Sequence, residues 1–144
     1  MSDLQNLYQE LILDHSRTPH GYGLREAVAA QSHQVNPTCG DEVTLQVHRG
    51  ADGRVEAIAW EGHGCAISQA SASLLAELAE GLSVDDLGVR IAAFREAMRS
   101  RGRIEPDEAL LGDAAALGGV SKYVARVKCA MLAWVAAEDA LSRE

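Results

Sequence analysis

Apolar residues recur along this chain with two periods, and the switch between them sets out its elements. Over residues 2–16, Leu4, Leu7, Tyr8, Leu11 and Ile12 fall three and four apart, which places them on one face of a helix. Ser2 and Gln5 have capping-box spacing. Thr18-Pro19, Gly21 and Gly23 then halt the helix and open a loop. A period of two follows in Glu42–Arg49, where Val43, Leu45 and Val47 alternate with Thr44, Gln46 and His48. Residues 55–61 repeat it, with Ile58 and Trp60 on one face, and Gly50-Ala51-Asp52-Gly53 between the two strands reads as a hairpin turn. A third strand is faintly marked over Gln31–Val35.

Beyond Gly62 the period becomes helical. Ile67, Ala70, Leu74, Leu75 and Leu78 line one side of a helix that Gly81 terminates. Ser83-Val84-Asp85-Asp86 starts another, carrying Ile91, Phe94 and Met98, which Arg101-Gly102-Arg103 breaks. Pro106 suits the first turn of a short helix with Leu110 and Leu111, ended by Gly118-Gly119. A last helix spans about Ser121 to Ser142. One stripe on it is Val124, Val127, Met131, Trp134 and Val135; the other is Ala125, Cys129, Leu132 and Ala136. Two apolar stripes predict broad burial. Helix, antiparallel strands, then helices make an α+β fold, and 144 residues suit a single domain over 1–144.

Composition narrows the chemistry. Aromatics are 4% of the chain, so the core rests on Ala, Leu, Val and Ile. A net charge of −8 argues against nucleic acid, whose phosphates need a basic surface. No apolar run has the length of a membrane span or the form of a signal peptide, so a cytoplasmic location is expected. Three cysteines in a reducing compartment point to buried thiols, metal ligands or a reactive thiol.

Those cysteines stand in suggestive places. Asn36-Pro37-Thr38-Cys39-Gly40-Asp41 lies just before one strand, and Gly62-His63-Gly64-Cys65 ends the other and opens a helix. Hairpin pairing brings the start of the first strand near the end of the second, so Cys39, Asp41 and Cys65 are able to converge. The helix N-terminus there favours anions, and Cys129 could complete the site from the last helix. Three thiolates and a carboxylate suit tetrahedral zinc, whereas magnesium and calcium take oxygen. The spacing alone leaves the matter open, because a single cysteine on an apolar helix face also serves as a small core residue.

The words around the cysteines say more. Asn36-Pro37-Thr38-Cys39-Gly40-Asp41, Gly62-His63-Gly64-Cys65-Ala66-Ile67-Ser68 and Lys128-Cys129-Ala130-Met131-Leu132-Ala133-Trp134 resemble the three cysteine motifs of the U-type (IscU/NifU N-terminal-like) iron–sulfur cluster assembly family. Leu13-Asp14-His15, with Pro19 and Gly21, resembles its opening helix and loop. The segment between Gly81 and Gly119, with Leu111-Gly112-Asp113 and Gly119-Val120-Ser121, resembles the insertion of the SufU-type branch, and Lys128 stands where the scaffold branch has His. The resemblance implies a small antiparallel sheet covered by helices. It also implies a zinc-dependent sulfurtransferase that takes persulfide sulfur from a SufS-type cysteine desulfurase and passes it to a downstream assembly scaffold. By the same resemblance the zinc ligands are Cys39, Asp41, Cys65 and Cys129, Cys39 is the acceptor, and Arg126 serves activity at the partner contact. Tyr123-Val124 and His20 depart from the family's usual Phe-Pro and Arg.

Three other readings compete: a scaffold holding a transient iron–sulfur cluster on the same four residues, a binding module with purely structural zinc, and three core cysteines with no metal. His63 reads as a solvated loop residue ahead of an alternative metal ligand, His33 and His48 carry no assigned role, and Lys128 serves either an anionic persulfide or solvent. Arg99, Arg101 and Arg103 read as a solvated turn or a docking patch.

Overall fold

The computed structural model describes residues 3–143 apart from Val28 and Cys39, with the backbone alone over residues 3–7. Helix α1 spans Asp3–Arg17, while its expected cap Ser2 lies outside the described residues. Strands β1 (Ala30–Asn36), β2 (Asp41–Arg49) and β3 (Val55–His63) pair antiparallel in that order. Helices α2 (Ala66–Ala79), α3 (Val84–Arg99) and α4 (Glu108–Leu111), a 3₁₀ segment (Gly112–Lys122) and helix α5 (Val124–Ser142) follow. This is the α+β arrangement expected. No helix among the described residues is long and apolar enough to cross a membrane.

The core face of the sheet joins Leu45 with Trp60 and Val47 with Ile58 across β2 and β3. Helices α2 and α5 cover that face and are clamped together by one hydroxyl. Buried Ser71 on α2 donates to the Ala130 carbonyl on α5 and accepts the Trp134 indole N–H at 2.8 Å. Phe94 from α3 stacks on Trp134, with ring centroids 4.0 Å apart. Ser83 caps α3 as expected, its hydroxyl accepting the Asp86 N–H.

Three expectations are corrected. Gln46 and His48, placed on the outward face of β2, are buried, because the loop after α1 folds over that face. Gln46 accepts the Arg25 N–H at 3.0 Å, returns a bond to the Arg25 carbonyl and contacts His48 Nε2 at 2.9 Å. Pro106, expected in the first turn of α4, precedes the helix, which Asp107 caps. Gly118-Gly119 does not end α4, which stops at Gly112; both glycines lie inside the 3₁₀ segment. Gly118 passes under the Pro106 ring, where a Cβ would approach Cδ to 2.8 Å.

The loop over the sheet is fixed to β3. Trp60 N–H donates to the Gly21 carbonyl at 3.0 Å, and Gly23 N–H donates to the Trp60 carbonyl at 2.7 Å. Gly21 has φ +79°, and a Cβ there would meet the Ile58 carbonyl oxygen at 2.6 Å and Ala76 Cβ at 2.8 Å. Only glycine allows this approach.

Candidate metal centre

One end of the sheet gathers the site. Asn36 pairs with Asp41 across β1 and β2, and Glu42 pairs with His63 across β2 and β3. The turn at 37–40 and the exit from β3 therefore meet. Gly40, at φ +76°, donates its N–H to the Asn36 carbonyl at 2.8 Å, and Thr38 N–H donates to Asn36 Oδ1 at 3.2 Å. Cys39 belongs to this turn by sequence and lies outside the described residues.

Asp41 opens β2 with 1% of its surface exposed. Its Oδ1 accepts the Cys65 backbone N–H at 3.0 Å. Cys65 caps α2 in an extended conformation, and its carbonyl accepts Gln69 N–H at 3.1 Å. Asp41 thus takes up an N–H that the helix leaves over, and the carboxylate is aimed by α2 itself. Gly64 makes room for this: a Cβ there would overlap Asp41 Oδ1 and Ser68 Oγ. Cys129, buried on α5, directs its Sγ toward the Ala125 carbonyl at 3.8 Å.

A carboxylate oxygen of Asp41, Cys65 Sγ and Cys129 Sγ all lie within 4.8 Å of one another. Zinc–sulfur bonds of about 2.3 Å in a tetrahedron separate ligand atoms by roughly 3.8 Å. The three groups are thus within about an ångström of a coordination sphere, and two sulfurs with one oxygen is a donor set that zinc accepts. Of the four residues named from the sequence, these three lie together, and Cys39 lies outside the described residues.

The neighbours fall into place around them. His63 is 69% exposed and sits 3.9 Å from Glu42, whose other oxygen is 3.2 Å from His33 Nε2, so both imidazoles stand at the rim on one carboxylate. Arg126 is exposed, three residues before Cys129 on the same side of α5. His20 contacts Glu80 at 2.6 Å, away from the centre. The sequence reading missed the Asp41–Cys65 N–H bond and the need for glycine at 64; the Gly-His-Gly run was the signal available. It also missed a second cluster, in which His15, Glu77 and Asp113 meet within 4.8 Å. That cluster joins the Leu13-Asp14-His15 and Leu111-Gly112-Asp113 words across three elements.

The fold and this site together define a small α+β protein with a cysteine–carboxylate centre at one end of its sheet. The model of the NifU-like N terminal domain matches residues 7–141. The chain belongs to that family. It is 38% identical over 143 residues to the iron–sulfur cluster assembly scaffold protein IscU of Streptococcus pyogenes serotype M1, covering 99% of this chain and 87% of that one. It is 37% identical over 144 residues to the zinc-dependent sulfurtransferase SufU of Bacillus subtilis, covering 99% and 95%. Among solved structures, the N-terminal part of a nitrogen-fixing NifU-like protein from Brucella abortus superposes with a TM-score of 0.84 at 25% identity, covering 99% of this chain and 96% of that one.

Proposed function

We propose that this protein is a zinc-dependent sulfurtransferase of iron–sulfur cluster assembly, accepting persulfide sulfur on Cys39 from a SufS-type cysteine desulfurase for a downstream scaffold. The observation that carries the reading is the convergence of Asp41, Cys65 and Cys129 beside the turn bearing Cys39. Cys39 is the fourth ligand in this reading. Zinc, when bound, keeps the thiols of the centre deprotonated at neutral pH. The 37% identity to a zinc-dependent sulfurtransferase supports the choice of metal. So does Lys128: a protonated ammonium has no lone pair to offer a metal, and this side chain is exposed at the position before Cys129.

The chain's own residues do the following. Asp41, buried and bonded to the Cys65 N–H, fixes one corner of the centre. Cys65 and Cys129 fix two more from the ends of packed helices. Cys39, between Pro37 and Gly40 in the sequence, is the ligand that leaves the centre to react. Its thiolate attacks the outer sulfur of the partner's persulfide; a new S–S bond forms at Cys39 as the old one breaks, and the partner's inner sulfur leaves as thiolate. Arg126, exposed on the Cys129 side of α5, meets the incoming partner.

The test is mass spectrometry of the zinc-loaded protein after incubation with cysteine desulfurase and cysteine. One added sulfur on Cys39 is expected, and Cys39→Ala should accept none while still binding the desulfurase. Normal sulfur uptake by Cys39→Ala refutes the assignment. A brown protein containing iron and sulfide replaces it with the scaffold reading, in which the same four residues hold a transient iron–sulfur cluster.

A further inference from the structure

The outer side of α5 is incompletely covered. Between it, the end of α3 and the turn after α3 runs an open groove of about 790 Å³. Its floor is apolar: Met98 and Met131 are buried, Val127 and Val135 half-buried, and Val124 is 62% exposed. Val124 belongs to the stripe expected to be buried, yet among the described residues no element covers it.

The rim has the opposite charge to the rest of the molecule. Arg95, Arg99, Arg101 and Lys128 face the groove with a single carboxylate, Glu138, and Glu138 is held by Arg95 in a two-bond pair of 2.9 and 2.6 Å. Three cations therefore remain on a chain of net charge −8. Arg101 holds its place in the left-handed region, at φ 58°, a costly conformation for a side chain with a Cβ. The groove follows α5 from Val124 to Val135, about 17 Å at 1.5 Å per residue, or three helical turns. It is also contiguous with the candidate metal centre, because Lys128 lines it while Cys129, the next residue, faces Asp41 and Cys65.

We propose that this groove docks an acidic amphipathic helix of the desulfurase that delivers the sulfur; the occupant rests on the function proposed above. An apolar floor three turns long fits a helix presenting residues at i, i+3, i+4 and i+7. The three cations select acidic flanks on that helix and steer its approach. The floor and the overall negative charge disfavour nucleic acid. Docking here sets the partner within one helical turn of Cys129, with Arg126 on the adjoining side of the same helix.

The test is calorimetric titration of the zinc-loaded protein with cysteine desulfurase at low salt and at about 0.3 M, where exposed charges are screened. Arg99→Glu/Arg101→Glu should weaken binding at least tenfold and flatten its salt dependence. Val124→Glu, at a position exposed enough to leave folding intact, should weaken it severalfold. Both variants should keep native zinc content and thermal midpoint, and should still take sulfur from glutathione persulfide, which needs no docking. Binding of both variants at native affinity overturns the groove assignment and leaves the sulfur-transfer reading standing. Failure of the unaltered protein to bind the desulfurase overturns that reading and this occupant with it.

Discussion

Gly64 is the position where one added methyl group should be felt most sharply at the centre. An alanine Cβ would lie 2.8 Å from Asp41 Cγ, besides overlapping its Oδ1 and Ser68 Oγ. Carbon–carbon contact needs about 3.5 Å, so the carboxylate must retreat by roughly 0.7 Å or more. Asp41 is almost wholly buried and has little room to do so. Ser68 is tied as well, its hydroxyl donating to the Cys65 carbonyl at 3.0 Å. The casualty is the 3.0 Å bond from Cys65 N–H to Asp41. A hydrogen bond to a charged group contributes about 1.5–3 kcal/mol, and losing a partner that orients a metal ligand typically weakens binding about 10–100-fold. We therefore expect Gly64→Ala to bind zinc about 10–100-fold more weakly, measured by competition with a chromophoric chelator. The control is Gly88→Ala, in the interior of α3 with no atom within 4 Å of the new Cβ. It should bind zinc normally and gain about 0.5–1 kcal/mol of stability. Zinc affinity of Gly64→Ala within threefold of native would refute the reasoning that the Asp41–Cys65 bond sets the centre.

Two further outcomes follow from the fold. Gly21→Ala combines a positive φ with collisions against the Ile58 carbonyl and Ala76 Cβ, and should cost about 2–4 kcal/mol in urea denaturation; a midpoint equal to native would contradict the close packing of the loop on β3. Burial, aided by the Arg25 charge, holds the His48 imidazole below its ordinary value near 6.5. The unfolded chain thus takes up this proton first, so stability should decline as the pH falls below about 6.5. His48→Gln should flatten that decline in denaturation series between pH 7.5 and 5.5, and an unchanged slope would exclude His48 as its source.

Much of this was legible in the chain, and where it was not the reasons are physical. Strand β2 and helices α2 and α3 follow clean apolar periods because the apolar face of each packs on the core. Strand β1 was faint because its inward positions are polar. Ser32 is buried and donates to Asp139 on α5 at 2.6 Å, while Val35 points outward. Only a residue more than a hundred positions away makes that pattern sensible. Gln46 and His48 read as outward for a similar reason, since what covers them is a loop distant in sequence. The glycines at 118 and 119 read as a break because the Pro106 ring over Gly118 leaves no mark on local spacing. At the site, the words around Asp41, Cys65 and Cys129 pointed to one centre, but the spacing alone left open whether Cys129 was a ligand or a core residue. The groove was half visible, as arginines at 99 and 101 and an apolar stripe on α5 whose first residue is exposed.

The Ser71 clamp has a bearing on how the centre can open. Ser71 lies six residues into α2 after Cys65, and its acceptor Ala130 directly follows Cys129. The two helices bearing these thiols are therefore bolted together a turn or two from the sulfurs themselves. A ligand shell that must release one donor cannot do it by parting α2 from α5 without breaking a bond that has no solvent to replace it. On the function proposed above, the donor released is then the one that the sequence places between β1 and β2, within residues 37–40. The asymmetry makes the α2–α5 wall of the centre a fixed template.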